Sequence, residues 1–585
     1  MKANKTIIIT GLLLSSIVMK AQLQKAEIGT NLKTDIITIE NSSFIRSYKA
    51  DQLVNWPKAF ESNQSFKNMR GVCLQDLDNN GSDEIIFGAN DSVYAFSGDG
   101  TKLWSNKILG TVIYPPATAD IDNDGDIEIV FITGGVPNNG HIHVFDHLGS
   151  EVEGWPQTID NHWLICSPSL ADLNADRNLE ILVAERDTPG RLHIFNNDGS
   201  NFSENWPVEL DGYPAVTPSV AYDYKHRDNN ANEGLVNDLI VMCSTNSLYT
   251  FDTEGNTNTG FPVENSDTKF SYQSPLICHE WDNYQIIGGT HGDFPEFYSF
   301  NLQGEYSTEN WPNPTAEDSW TYNAPLAIGL ENTFDFYIFS QPGADGTSPY
   351  PTIHAFNPDG TYIDGFPYER TDGLEGFITA MYSDDLTKVY IFTGSNMKDV
   401  DGNGFIHAYI ANTDLSDFTE ISGFPIQVQG FTFMNGINLG DVNNNGKLDL
   451  VALSYDQNFE PTDSIHINIF ELTDIDYNPD YCFSTYKGNN LRNGYVTPFG
   501  FNADINMSET SNIKIYPSLI TEKLNIESDS RFDVEIYNSS GVLSYKQSNC
   551  EKKCIFSFEN YSKGMYFVKI CQDNKTYTYK VIKLK

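Results

Sequence analysis

Short apolar runs and alternating segments recur along most of the chain. A typical stretch has an apolar run such as 84–88 (EIIFG), then a loop, then an alternating segment such as 93–96 (VYAF) or 142–145 (IHVF). Alternation with period two, bounded by turn residues, is typical of half-buried strands. The 3.6-residue period of an amphipathic helix does not extend over any useful length. The pattern therefore predicts an all-β protein.

An aromatic–proline signature divides residues 50–498 into repeats. Successive aromatic residues, with Trp104 filling the second place without a proline, lie 48 to 58 residues apart by subtraction of their positions. A repeat near 50 residues predicts a solenoid or a propeller. The signature reads Asn55-Trp56-Pro57, Gly154-Trp155-Pro156, Asn205-Trp206-Pro207, Gly260-Phe261-Pro262, Asn310-Trp311-Pro312, Gly365-Phe366-Pro367 and Gly423-Phe424-Pro425.

Each repeat contains about four short strands, which predicts a β-propeller of about eight four-stranded blades, with seven as the alternative. A closed ring of this kind protects the sheet edges. The first aromatic–proline strand, ending at Trp56, precedes the first acidic loop and so has no blade of its own. We expect it to complete the last blade beside residues 465–470. A possible fourth strand of that blade at 482–486 lacks the signature.

Four repeats, numbered one, two, three and eight, carry a nine-residue acidic loop just before the apolar run. Oxygens at loop positions 1, 3, 5 and 9 converge on one point, and the carbonyl at position 7 can join them, which predicts Ca²⁺ as the bound ion. These positions are Asp76, Asp78, Asn80, Ser82 and Glu84; Asp120, Asp122, Asp124, Asp126 and Glu128; Asp172, Asn174, Asp176, Asn178 and Glu180; and Asp441, Asn443, Asn445, Lys447 and Asp449.

Two features separate these loops from an EF-hand. Loop position 12 is apolar instead of glutamate, and strands instead of helices flank the loop. Position 6 is glycine in three loops, whereas Arg177 in the third is a departure. Polar turns without metal are the alternative interpretation. The loops of units four to seven are degraded, and unit seven has a second acidic segment, 399–403, in a different place.

These loops and their spacing resemble the FG-GAP and VCBS repeats of integrin-type propellers and bacterial surface proteins, over roughly residues 50–498. The resemblance implies a propeller fold and bound calcium. It says less about activity, because the family includes adhesins, receptor domains and some polysaccharide lyases. We therefore predict a propeller domain over residues 22–498.

The two ends of the chain carry targeting signals. Lys2, Lys5 and an apolar run predict a signal peptide over residues 1–21. A polar linker over 499–512 leads to short alternating strands over 513–585, which predict a small β-sandwich. The pieces Ile515-Tyr516-Pro517, 537–541 and 563–568 resemble the type A sorting domain of the type IX secretion system, although Ser518 replaces the usual Asn. The resemblance implies the type IX machinery as a partner and a secreted or cell-surface location.

The formal net charge of −43 argues against nucleic acid and anionic membranes as partners. After residue 22 the chain has no apolar stretch long enough to span a membrane. His143, His193, His354 and His407 occupy one repeated strand position, so we interpret them as packing residues and not as a metal site.

The face opposite the acidic loops is the predicted ligand face. Aromatic faces suit carbohydrate or peptide ligands, with packing between blades as the alternative. No known catalytic motif is present. We therefore expect a non-catalytic binding or adhesion protein for glycan or protein ligands; the alternative is an extracellular polysaccharide-degrading lyase or hydrolase. The segments between blades place one aromatic residue each on this face: Tyr114, Trp163, Tyr213, Tyr272, Trp320, Phe377 and Phe431.

Overall fold

The computed structural model describes residues 21–28, 34–42, 50–500 and 514–583, with short gaps inside the last two ranges, of which 222–238 and 457–463 are the longest. The signal segment and most of the linker lie outside the described residues. From residue 51 to residue 476, the described strands form eight antiparallel units, each with an inner, a second, a third and an outer strand.

The strand bounds of units one to four are Cys73–Gln75, Glu84–Ala89, Ser92–Phe96 and Lys102–Lys107; Ala117–Ala119, Glu128–Gly134 (also paired with Thr111–Val112), Gly140–Phe145 and Gln157–Ile159; Ser169–Ala171, Glu180–Glu185, Gly190–Phe195 and Val208–Leu210; and Ser219–Ala221, Leu239–Cys243, Ser247–Phe251 and Val263–Glu264. A short pair, Thr268–Lys269 with His291–Gly292, follows.

Those of units five to eight are Leu276–Glu280, Asn283–Gly289, Glu296–Phe300 and Asn313–Pro314; Leu326–Ile328, Phe336–Ser340, Tyr350–Phe356 and Tyr368–Arg370; Thr379–Tyr382, Lys388–Thr393, Gly404–Asn412 and the pair Thr419–Glu420 and Ile426–Val428; and Ile437–Gly440, Lys447–Tyr455, Ser464–Asp476 and the pair Asp51–Gln52 and Lys58–Glu61.

Neighbouring units share their apolar cores, which joins the units into a ring. The second strand of each unit is almost wholly buried, because it has a strand on each side and a neighbouring unit against each face. Phe131 of unit two belongs to one cluster with Cys73 of unit one, and Ile467 of unit eight to another with Phe87 of unit one. The inner strands of units eight and one are also in contact. This ring of sheets confirms the predicted all-β propeller fold.

The start of the chain closes the ring. Asp51–Gln52 and Lys58–Glu61 pair antiparallel with Ser464–Asp476, the third strand of unit eight. Between them, the N–H of Leu53 donates to the carbonyl of Ile469 at 3.0 Å. The predicted closure by the N-terminal segment is confirmed, although the paired residues lie before and after Trp56 and not in a strand that ends there. The last sheet thus combines residues from both ends of the propeller.

The aromatic–proline signature fastens each unit to the next. Every aromatic–proline bond of the signature is cis. Each signature tryptophan packs near the aromatic residue that ends the third strand of the following unit, for example Trp56 on Phe96. The indole N–H groups donate at 2.8 to 3.3 Å to backbone carbonyls in that unit's next turn: Trp56 to Gly98, Trp104 to His147, Trp155 to Asn197, Trp206 to Thr253 and Trp311 to Pro358.

The residues after unit eight fill the centre of the ring. A 3₁₀ turn, Pro479–Tyr481, leads to Cys482–Phe483, which pairs with the inner strand of unit seven; Tyr495–Val496 pairs with that of unit five. The possible fourth strand at 482–486 is therefore not part of unit eight. In between, backbone carbonyls accept inner-strand N–H groups at 2.8 to 3.0 Å: Ser484 from Leu439, Asn490 from Thr118, Leu491 from Leu170, Asn493 from Val220 and Gly494 from Ile277.

Arg492 holds this central segment in place. Its side chain is fully buried, and the guanidinium donates to the carbonyls of Val72 and Pro116 at 3.1 Å and of Tyr486 at 2.9 Å. A buried cation with several acceptors ties the segment to the inner strands of units one and two.

Two smaller elements complete the described chain. Near the start, Ala21–Ile28 and Thr34–Ser42 form a hairpin that pairs with Met397–Asp399. At the end, a three-stranded and a five-stranded sheet enclose one apolar core, as a small sandwich requires. Their strands are Lys514–Tyr516, Lys523–Glu527 and Lys553–Ser557, and Leu519–Ile520, Phe532–Asn538, Leu543–Cys550, Gly564–Gln572 and Lys575–Lys583.

Candidate functional site

The acidic loops hold their first carboxylate with the loop backbone. In unit one, the two oxygens of Asp76 accept N–H groups from Asn80 at 3.1 Å and Gly81 at 2.9 Å. In unit two, Asp120 accepts in the same way from the N–H groups of residues 124 and 125, both at 3.0 Å. The chain therefore wraps around this side chain, and the remaining acids of the loop face it.

The backbone conformation at loop position 6 explains why the motif has glycine there. Gly81, Gly125 and Gly446 have φ values of 88°, 100° and 77°, in the left-handed region that glycine adopts without strain. Arg177 has a φ of 82° at the same position, and its N–H still donates to Asp172 at 3.1 Å. The third loop thus keeps the shape of the others despite its departure from the motif.

The carboxylate at position 9 closes each loop. One oxygen accepts the N–H of position 2, at 2.8 Å for Glu84, 2.9 Å for Glu128, 2.6 Å for Glu180 and 2.9 Å for Asp449. The second oxygen of Asp449 is buried without a hydrogen-bond partner among the described residues, as is one oxygen of Asp172. Buried carboxylate oxygens without partners are costly unless a cation or proton satisfies them.

Burial and mutual repulsion raise the pKa of these closing carboxyls. Burial is the largest cause in each case, neighbouring loop acids add to it, and the position 2 N–H opposes both. The pKa rises to about 7 for Glu84 and Glu128, about 8 for Glu180 and about 7 for Asp449. A divalent cation in the loop would supply the positive charge that keeps these groups ionised.

The acids converge most closely in units one and two. Carboxylate oxygens of Asp76, Asp78 and Glu84 lie within 4.8 Å of one another, and those of Asp120, Asp122 and Asp124 do the same. Hard oxygen donors at this spacing fit calcium, which accepts six to eight oxygen ligands in irregular geometry. The residues present therefore fit the predicted ion.

The loop of unit eight has a neighbour that the sequence motif does not contain. Glu471, on the third strand, accepts the side-chain amides of Asn443 at 3.0 Å and Asn445 at 2.5 Å. The amine of Lys447 turns away to Asp476 at 2.6 Å, so at position 7 only the backbone is available to an ion. Glu471 directly follows Phe470 within the strand Ser464–Asp476, and its nearness to the loop is visible only in the sheet.

Backbone hydrogen bonds join two pairs of adjacent loops. Asp83 donates its N–H to the carbonyl of Asp441 and accepts the N–H of Asp441, both at 3.2 Å, which joins the loops of units one and eight. Leu179 donates to the carbonyl of Ile121 at 2.8 Å and so joins the loops of units three and two. The four loops lie in consecutive units on one face.

The second acidic segment of unit seven is already satisfied within the protein. Asp399 accepts the N–H groups of Asp401 and Asn403 at 2.9 Å and the side-chain amides of Asn403 and Gln427. Both of its oxygens are thus engaged in a turn. The inserted acids of unit four, residues 228–232, lie outside the described residues.

The four repeated histidines are packing residues. Each is mostly buried and lies nearly parallel to the aromatic residue two positions later, with ring centroids 6.0 to 6.5 Å apart. Each imidazole has its own partner within the unit: His143 has Glu151, His193 has Glu185, His354 has Tyr362, and His407 has Glu420 and Asp372. The interpretation of these residues as packing positions agrees with this arrangement.

The seven aromatic residues of the opposite face do not behave alike. Phe377 and Phe431 are buried, with Phe377 against Tyr486 and Phe431 against Phe433, so they follow the packing alternative. Tyr272 and Trp320 lie outside the described residues. The remaining three, Tyr114, Trp163 and Tyr213, precede the inner strands of units two to four and are half-buried. They lie near two arginines, Arg70 and Arg186, that the sequence motifs did not single out.

Comparison with known families agrees with the two modules. Residues 120–183 match an FG-GAP-like repeat, and residues 514–584 match a secretion system C-terminal sorting domain. The chain carries an FG-GAP repeat and a type IX sorting domain. The sorting domain implies recognition by the type IX secretion machinery and marks the protein for the cell surface or the extracellular space. Among the described residues, no helix has both the length and the apolar character that a membrane span needs.

The solved structures that match this chain have low sequence identity to it. The WD40 repeats of RRP9 are 10% identical over 72% of this chain and 99% of theirs, with a TM-score of 0.35. The lectin BP39L from Burkholderia pseudomallei is 8% identical over 62% and 100%, with a TM-score of 0.37. BBS1N in its complex with ARL6DN is 10% identical over 73% and 98%, with a TM-score of 0.38. No curated protein matches the chain.

Proposed function

We propose that the exported protein is a calcium-stabilised, non-catalytic binding or adhesion protein, whose propeller presents a ligand face to glycans or proteins outside the cell. The observation that carries the proposal is that the two faces of the propeller carry different kinds of side chain. One face holds acidic loops whose oxygens are fixed by backbone N–H groups, and the other carries half-buried aromatic residues.

Calcium fits the first face because each loop offers preformed oxygen donors and buried carboxylates with raised pKa values. The ions would bind at positions 1, 3, 5 and 9, with the carbonyl of position 7. Because adjacent loops share hydrogen bonds, ions in neighbouring loops would stiffen the inter-unit contacts of that face. A ligand that binds only the folded state stabilises it by about 2.7 kcal/mol when present at one hundred times its dissociation constant.

A binding role is favoured over catalysis by where the ionisable groups lie. One connected cluster joins Asp372 to Arg370 and to His407, and His407 to Glu420. The side chains of Arg370, Asp372 and His407 are only 4 to 6% exposed. Asp372 forms ion pairs with both Arg370 and His407. A substrate cannot reach such a network, so it serves the fold by joining the outer strand of unit six to unit seven.

The proposal is tested by a screen of the chain from residue 22, in calcium and in chelator, against arrays of glycans and of extracellular proteins. We expect saturable binding to one ligand class that weakens in chelator, with no turnover of the ligand. Cleavage of a polysaccharide ligand would favour the enzyme alternative. No binding to either array would contradict the proposal.

A further inference from the structure

Two arginines lie among tyrosines on the face opposite the acidic loops. The guanidinium carbon of Arg186 is 5.0 Å from the ring centroid of Tyr213, and that of Arg70 is 5.4 Å from the centroid of Tyr486. Both arginines are near enough to act on Tyr114: burial raises its pKa to about 12, while their positive charges act to lower it. The two arginines and the three tyrosines are therefore treated as one cluster.

Trp163 forms the rim of this cluster. The N–H of Arg186 donates to the carbonyl of Trp163 at 2.7 Å, and the two residues form an isolated bridge. Arg186 directly follows the second strand of unit three, Glu180–Glu185, whose other end begins at the acidic loop. The cluster is thus on the face away from the calcium loops, next to the central segment that contains Tyr486.

The members of the cluster differ in exposure. Trp163, Arg186 and Tyr213 are half-buried, so each offers part of its surface to solvent. Arg70 and Tyr486 are buried, at 3% and 1% exposed. A stacked guanidinium keeps its N–H edge free for hydrogen bonds in its own plane, because the aromatic ring occupies only its face.

The part of the chain that the structure describes leaves the charge of Arg186 unneutralised. Among the described residues, no carboxylate lies within ion-pair distance of it. The carboxylate of neighbouring Asp187 accepts the N–H of Thr188 at 2.7 Å. By contrast, Arg191 on the next strand of the same unit is near Glu185 and Glu209, at 3.7 and 3.6 Å.

A second observation comes from the same level of the ring. Asn323 in unit six has the register position of Tyr114 in unit two and Arg70 in unit one, four residues before the centre of the inner strand. It is 1% exposed, and both polar atoms of its side chain are buried without a hydrogen-bond partner among the described residues. Buried amides are nearly always satisfied, so Asn323 itself has unused polar capacity.

We propose that the cluster binds an acidic carbohydrate, with a sugar ring against Trp163 and Tyr213 and the sugar carboxylate on the guanidinium of Arg186. The aromatic faces suit the C–H faces of a sugar, and the planar guanidinium matches a carboxylate through two parallel hydrogen bonds. The chain's net charge disfavours a dense polyanion such as nucleic acid. At physiological ionic strength, however, distant charges are screened beyond about 8 Å, so the local arginines dominate for a single carboxylate. This proposal rests on the proposed binding function and names its ligand class.

The test measures affinities by titration calorimetry in calcium, with the chain from residue 22. The probes are uronic acid oligosaccharides (galacturonate, glucuronate, mannuronate and guluronate), each paired with the same oligosaccharide after reduction of its carboxylates to alcohols. We expect at least one acidic probe to bind, and its reduced partner to bind about tenfold more weakly or not at all, because a charge-assisted hydrogen bond is lost.

Variants locate the site. Arg186→Gln should weaken the acidic probe by about tenfold and abolish the difference between acidic and reduced probes, whereas Arg186→Lys should retain part of that difference. Arg191→Gln, which removes the same charge from an arginine near two acids in the same unit, should bind as the wild type. Equal melting midpoints of all variants show that the fold is intact.

The outcomes separate this proposal from the broader one. Equal affinity for acidic and reduced probes, or unchanged binding by Arg186→Gln, would overturn the acidic-carbohydrate site. The same holds if only neutral glycans or proteins bind, and the proposed binding function then stands. If no glycan or protein ligand of any kind binds, both proposals fall.

Discussion

Trp56 offers a direct test of how the ring is closed. Its side chain is 6% exposed, its indole N–H donates to the carbonyl of Gly98 at 2.8 Å, and its ring meets Phe96 edge-on with centroids 6.1 Å apart. Removing a buried tryptophan side chain costs about 3–5 kcal/mol of stability. Trp56→Ala should cost about that much, because the side chain joins the N-terminal strand of unit eight to unit one. Trp56→Phe keeps a ring and loses the hydrogen bond, so about 1 kcal/mol is expected from that loss.

Urea unfolding, with size-exclusion chromatography before each measurement, distinguishes these effects. Val54→Ala is the matched control, because Val54 is in the same segment and 81% exposed; its cost should stay below about 0.5 kcal/mol. Loosening of the N-terminal strand should also expose the edge of Ser464–Asp476 and produce oligomers in the Trp56→Ala sample. A Trp56→Ala protein that is monomeric and as stable as Val54→Ala would refute the role of the Trp56 segment in closing the ring.

Three further predictions follow from single sites. Asp120→Ala with Asp124→Ala should lower the melting midpoint in calcium but not in chelator; an equal loss in both would contradict a metal role for this loop. His143→Tyr should melt within a few degrees of wild type and bind as much calcium, because other units have tyrosine there; loss of metal would contradict the packing role. Burial and Arg370 lower the pKa of His407, but Asp372 and Glu420 outweigh them and raise it. Stability from the charged imidazole is therefore fully present below about pH 6.5 and lost as pH rises through the raised pKa, so His407→Gln should cost more stability at pH 5.5 than at pH 9 in urea unfolding. Equal costs at the two pH values would contradict the charged state.

The repeat made the ring and its closure predictable. The position of Trp56 before the first acidic loop already implied an unpartnered strand, and the structure pairs that strand with Ser464–Asp476. The acidic loops could also be predicted from the sequence, because the ligand spacing and the glycine at position 6 are properties of a single continuous segment. In both cases the information is local or periodic, which is what a sequence displays most clearly.

The central segment could not be predicted in the same way. Residues 484–494 bind the inner strands mainly through backbone carbonyls, and carbonyls leave no mark on the pattern of side chains. The same segment also determines which aromatic residues of the opposite face are buried. Phe377 is buried against Tyr486, although in sequence it has the same place as the half-buried Tyr114. Arg186 is a single residue after a strand, and its role depends on Trp163 and Tyr213 reaching it from other segments.

The central claim is that the acidic loops bind calcium and thereby stabilise the propeller that presents the ligand face. Its most direct test is a calcium titration by isothermal calorimetry of the chain from residue 22, after treatment with chelator and dialysis. The account predicts saturable binding that approaches four ions per chain, with one fewer in the Asp120→Ala, Asp124→Ala variant. A titration with no saturable heat, or an unchanged ion count in that variant, would contradict it.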